Sequence, residues 1–144
     1  MRTLLIAAVG ISLVMSAGAQ PTSVSGTWSV TGQGAKGSTA DGENWSIAAI
    51  SGTLTLEQTG TEITGSWQGQ MPNSWSVTGR IDDAGYEVMT EWREIPVARN
   101  DTKSMMRARW VFRGSVSGDT MSGTLTLEVE RGNRPQPFTA KRAP

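Results

Sequence analysis

Strict two-residue alternation of apolar and polar side chains is the feature that most restricts this chain. Thr53-Leu54-Thr55-Leu56-Glu57 alternates without a fault, and Thr124-Leu125-Thr126-Leu127-Glu128-Val129-Glu130 does the same. Successive side chains of an extended backbone point to opposite faces, so Leu and Val share one face while Thr and Glu share the other. The same parity runs through Ile63, Gly65 and Trp67, through Trp75, Val77, Gly79 and Ile81, and through Tyr86, Val88, Thr90 and Trp92. Met106, Ala108, Trp110 and Phe112 alternate with Arg107, Arg109, Val111 and Arg113. Beyond residue 20 no stretch carries the i, i+3, i+4 stripe of an amphipathic helix. Only the continuous apolar run at 47–50 would suit a short helical turn.

Turn chemistry falls between these runs. Gln58-Thr59-Gly60-Thr61, Asp82-Asp83-Ala84-Gly85 and Ser117-Gly118-Asp119-Thr120 each hold the Gly or Asp that a tight turn needs. The pattern predicts strands at 24–31, 51–58, 62–69, 74–81, 86–93, 105–116, 120–130 and 136–142, with a short one at 44–48. Two longer segments read as loops. Residues 32–43 are Gly-rich and polar, and residues 94–104 contain Pro96 and the charged step Arg99-Asn100-Asp101. The fold class that follows is all-β, an antiparallel up-and-down meander. An eight-stranded barrel is preferred to a two-sheet sandwich because closure removes exposed strand edges. Ser51 to Glu57 recurs identically at Ser122 to Glu128, and Trp28 to Gly32 recurs at Trp75 to Gly79. The spacings differ, so these are repeated hairpin chemistry rather than a duplicated domain.

The chain opens with Met1-Arg2, an apolar run at 4–14 and Ala17-Gly18-Ala19. Charge, apolar run and small residues in that order predict a secretory signal peptide at 1–19, too short in its apolar part to span a bilayer. Residues 20–144 are then a single domain of ordinary size, extracytoplasmic (periplasmic or secreted), with no membrane span after cleavage. Losing Arg2 leaves 12 positive against 13 negative charges. That balance lacks the basic field needed for nonspecific nucleic-acid binding.

There is no Cys and no His. Disulfides, thiol nucleophiles, thiolate metal sites, a Ser-His-Asp triad and His-ligated haem are all excluded. No metal, cofactor or catalytic residue is assigned, and the chain is not expected to be an enzyme. Carboxylates such as Glu91 and Glu94 show no spacing that defines a glycosidase pair. Asp82-Asp83 suits a turn better than a calcium loop, which needs more oxygen ligands at fixed spacing. Arg107, Arg109 and Arg113 share one strand face, and Glu87, Glu91 and Arg93 the outer face of the strand before. Pairing of those strands would make an external ladder, each pair contributing roughly 0.2–1 kcal/mol.

Tryptophan is the unusual component, with six residues, all beyond the leader. Trp28, Trp67, Trp75, Trp92 and Trp110 sit on the apolar parity, which faces inward in a barrel, and Tyr86 shares that parity. An eight-stranded barrel is filled by side chains or holds one small ligand. The aromatics therefore either form the core or line a cup for a small apolar or aromatic molecule. In the second case Trp28, Trp67, Trp75, Tyr86, Trp92 and Trp110 are the ligand-binding candidates, and 32–43 and 94–104 shape the entrance. Replacing Trp67 or Trp92 by Ala would then weaken binding and spare the fold. The competing reading is an interaction or inhibitor module with a dry core, presenting loops or the Arg face to a protein partner of the cell envelope.

Gly26-Thr27-Trp28, Ile63-Thr64-Gly65-Ser66-Trp67 and Val77-Thr78-Gly79-Arg80 resemble the opening hairpins of small exported bacterial barrels of the lipocalin-like and avidin-like kind, over residues 24–81. The resemblance implies a barrel with Trp28 as a packing plug. It does not imply a biotin site. Val30 stands where the avidins carry a polar ligand-binding residue, and Trp67 stands where they carry Tyr.

Overall fold

The computed structural model describes residues 23–70, 73–99, 102–130 and 132–144. The expected leader at 1–19 lies outside the described residues. Among those residues the chain forms eleven strands and no helix: β1 (Gly26–Gly32), β2 (Ala35–Ser38), β3 (Asn44–Ile47), β4 (Ile50–Thr59), β5 (Glu62–Gln68), β6 (Trp75–Asp82), β7 (Gly85–Thr90), β8 (Arg93–Arg99), β9 (Thr102–Ser117), β10 (Thr120–Val129) and β11 (Gly132–Arg142). Eight of them close into an antiparallel barrel in the order β1, β4, β5, β6, β7, β9, β10, β11, with β11 pairing back onto β1. No sandwich forms. The eight-stranded ring pairs each wall strand on both sides, which removes the free edges that an open sheet would carry.

Alternation does the sorting. Trp28, Val30, Leu54, Leu56, Ile63, Trp67, Trp75, Val77, Val88, Phe112, Leu125 and Phe138 are at most 3% exposed and fill the interior. Tight turns at Gly60 (φ +64°) and Gly118 (φ +61°) join β4 to β5 and β9 to β10 in left-handed conformations that Gly adopts without strain. Gly114 and Gly123 face each other across β9 and β10. A Cβ on Gly114 would press into the Ser122 carbonyl oxygen, and one on Gly123 into that of Arg113. Their bareness lets the two strands approach this closely.

Both loop expectations need correction. The segment 32–43 is not all loop: β2 forms there and pairs with β3, placing Gly37 opposite Trp45. A Cβ on Gly37 would lie 2.7 Å from the ring carbon Cζ2 of Trp45, so this glycine makes room for a ring. The segment 94–104 holds most of β8 and the start of β9, which pair from Arg99↔Thr102 to Arg93↔Ala108. Pro96 is accommodated because it faces Met105 at a position where the ladder uses no proline N–H.

The strand that leads from β7 into β8 carries a bulge. Met89 faces Val111 and Arg93 faces Ala108, so residues 90–92 oppose only 109 and 110. Thr90 Oγ1 fills the gap, accepting the Trp110 N–H at 2.9 Å and donating to the Glu91 carbonyl at 3.0 Å. The extra residue reverses the parity. Trp92, expected on the inward row with Tyr86, Val88 and Thr90, is 40% exposed outside the barrel, and Ile95 packs against the core instead.

Candidate functional site

The two ends of the barrel differ. One is closed by the three short turns after β4, β6 and β9, with the chain's first described residues and its C-terminus. Trp28 plugs this end, fully buried, with its indole N–H donating to the Val24 carbonyl at 2.8 Å. The other end carries the β2–β3 hairpin, the link between β5 and β6, and the β8–β9 ribbon, whose residues 102–107 run past the end of β10. The two segments expected to shape an entrance are therefore at the same end.

The six aromatic candidates divide into three groups. Trp28, Trp67 and Trp75 are at most 1% exposed, and Tyr86 is 4% exposed. Trp67 meets Phe112 edge-on at 5.1 Å between ring centroids, and Phe112 meets Phe138 at 5.6 Å and 90°. These contacts are interior packing of the favourable T-shaped kind. Trp110 is half-buried at the edge of the core. Trp92 lies outside, beneath the guanidinium groups of Arg109 (4.6 Å) and Arg107 (5.2 Å).

Around the open end the polar groups hold strands in place. Arg93 stacks on Trp75 at 4.6 Å, donates to the Ser74 carbonyl at 2.6 Å and pairs with Glu91 at 3.2 Å. The Glu91 carboxylate accepts the Ser76 N–H, fastening the bulge to β6. The expected external ladder is present in part: Arg113 pairs with Glu87 across β9 and β7, whereas Arg109 turns to Glu128 on β10 at 2.7 Å. Two participants were not singled out from the pattern. Trp45 lies beneath Arg134 at 5.7 Å on the β2–β3 hairpin. Gln136, 1% exposed, accepts the Gly34 N–H at 2.7 Å through Oε1 and leaves Nε2 without a partner among the described residues.

At the closed end a shallow groove of about 860 Å³ runs over Gly114 and Gly123, flanked by Arg80, Glu87, Arg113 and Tyr86. The Tyr86 hydroxyl has no hydrogen-bond partner among the described residues, and burial pushes its pKa well above the ordinary tyrosine value. Tyr86 is the chain's only tyrosine, so phenolate absorbance reports it alone. Folding favours the neutral phenol. Its contribution to stability is intact below the unfolded-state pKa of about 10 and is lost as pH rises above it. We expect no phenolate signal from the folded barrel through the ordinary tyrosine range, and its appearance together with alkaline unfolding. A normal titration on an intact fold would mean that the hydroxyl reaches water.

Among the described residues no three acidic side chains gather as a metal cradle, and no helix is long and apolar enough to cross a membrane. The class so defined is a closed eight-stranded antiparallel barrel with a packed aromatic interior and a strand ribbon projecting from one end. No protein-family model matches the chain, and no curated protein matches it significantly.

Proposed function

We propose that this protein is an exported, non-enzymatic interaction module of the extracytoplasmic space, acting through the surface at its open end while its barrel serves as a rigid mount. The supporting observation is the packing: Trp28, Trp67 and Trp75 are at most 1% exposed, so nearly all of their surface is taken up by contacts with the rest of the chain. Among the described residues the large apolar groups left outside are Met105 (59% exposed), on the ribbon, and Trp92 (40%), just before it. Exposed apolar groups gathered at one place mark interaction surfaces more often than scattered ones do.

A second reading is that a small apolar or aromatic molecule sits at the mouth, in the manner of lipocalin-like barrels. Gln136 favours it, since a buried amide donor without an acceptor is costly and a ligand carbonyl or hydroxyl would satisfy it. Trp110, at the edge of the core, would be its aromatic neighbour.

Native mass spectrometry of protein taken from its own compartment separates the two. The expected result is the bare mass of a chain starting at Gln20. A few hundred daltons of extra mass that vanish on unfolding would sink the first reading in favour of the second.

A further inference from the structure

We infer that the open edge of β9 beside Met105 and Arg107 is a docking site for an extended acidic segment of a partner protein, added as one more strand. The inference rests on the reading of the chain as an interaction module and names the partner's chemistry.

The backbone sets the direction. Along β9 the N–H of Trp110 points toward β7, where Thr90 Oγ1 accepts it at 2.9 Å. The N–H of Arg107 points the other way, toward β10, where Glu130 Oε1 accepts it at 3.4 Å. Backbone groups of a strand alternate sides, so Met105, two residues from Arg107, aims its N–H and C=O to the β10 side as well. The β10 ladder has already stopped, with Val129 opposite Ala108. Among the described residues no strand continues it, and the Glu130 carboxylate occupies only its first rung.

The two edges of the ribbon are not treated alike. Pro96 faces Met105 in register, and the same parity places its missing N–H on the outer side of β8. Proline at that position blocks strand addition, a usual protection of exposed edges. The β9 edge has no such guard at Met105, and its side chain is 59% exposed.

Side chains specify the occupant. Met105 and Arg107 share a face, two residues apart. The Arg107 guanidinium lies over Trp92 at 5.2 Å and makes no ion pair among the described residues. Glu94, its register partner on β8, and Glu130 are the carboxylates nearest in the ladder. Glu130 spends its reach on a backbone N–H. A strand carrying an apolar residue opposite Met105 and, diagonal to it, a carboxylate within reach of the Arg107 guanidinium matches both, and its main chain supplies the rungs beyond the one that Glu130 fills.

The probe is a synthetic strand of Thr alternating with Glu and Val in turn, compared with the same strand bearing Lys for Glu. Binding to the full domain is followed by titration and amide hydrogen exchange. The Glu strand is expected to bind saturably and to slow exchange at 103–107 while leaving the barrel amides unchanged. Met105→Pro removes an N–H that the β8–β9 ladder does not use, so binding should fall at least tenfold with the unfolding midpoint unchanged. Arg107→Glu should shift preference to the Lys strand. Equal binding by the Met105→Pro variant, or absence of binding, overturns the site. A dimer broken by that substitution would replace the acidic segment by a second copy. Protection of 35–47 instead would overturn the edge but spare the interaction reading, whereas a small molecule found inside the native protein would remove that reading itself.

Discussion

Replacing Trp67 by Ala is expected to cost about 3–5 kcal/mol, the range for removing a large aromatic from a core that cannot collapse. Trp67 is 1% exposed, faces Leu54 and Trp75 across its two neighbouring strands, and meets Phe112 at 5.1 Å. Its ring also lies over Gly52, where a Cβ would come within 2.5 Å of the ring carbon Cη2. A closed wall of paired strands cannot fold inward to fill the hole, so the lost contacts stay lost. Trp92→Ala removes a ring that is 40% exposed and held by two exposed-side cation–π contacts, each worth about 0.5–1 kcal/mol at such sites. Denaturant unfolding of both variants checks the contrast: a large drop in midpoint for Trp67→Ala and a small one for Trp92→Ala. Equal effects would mean that the ring of Trp67 is not part of the load the core carries.

The difference between these two tryptophans also marks how far the sequence could be read. Alternation identified Trp28, Trp67 and Trp75 as inward because each lies on an uninterrupted strand, where parity is a geometric necessity. The same rule misplaced Trp92, since the bulge at 90–92 reverses parity and leaves no mark in composition. Its closing contact is between Thr90 and Trp110, twenty residues apart. Pro96 and the charges that follow it looked like loop chemistry, yet β8 forms because its proline faces the outside of a two-stranded ribbon. Gly37 likewise read as part of a loop, although it is the floor beneath Trp45. Gln136 was invisible for another reason. It lies between Pro135 and Pro137 in a polar stretch, and only the return of β11 onto β1 shows that it faces inward, beside Phe138 and Ala140 on the same parity. Local pattern thus located strands and most of their faces. The open-end surface depends on a bulge and a long-range closure, which local pattern does not encode.

Arg142→Ala should be nearly as damaging as the loss of a core aromatic, at about 3 kcal/mol, because one guanidinium ties together the closed end of the barrel. Nη2 donates to the carbonyls of Ser23 (2.9 Å) and Gly118 (3.0 Å), Nη1 to that of Ser25, and Nε to Asp119 Oδ1 (3.2 Å). The same group stacks on Trp28 at 4.4 Å. Hydrogen bonds to a charged donor contribute about 1.5–3 kcal/mol each in isolation and add incompletely when one group makes them all. Three of the four acceptors are main-chain carbonyls, which no change of pH or salt removes. Asp119, 84% exposed, is the dispensable partner, and Asp119→Asn should cost less than about 1 kcal/mol. Lys at 142 should recover only part of the loss, since an ammonium cannot present donors in the planar fork that reaches Ser23, Ser25 and Gly118 together. The checks are unfolding midpoints and exchange of the Trp28 indole N–H, which should accelerate in Arg142→Ala as residues 23–25 and the Val24 carbonyl come loose from the plug. If Asp119→Asn proves as costly as Arg142→Ala, the ion pair rather than the carbonyl cradle closes this end. Trp28 would then keep its slow exchange in any variant that preserved the charge.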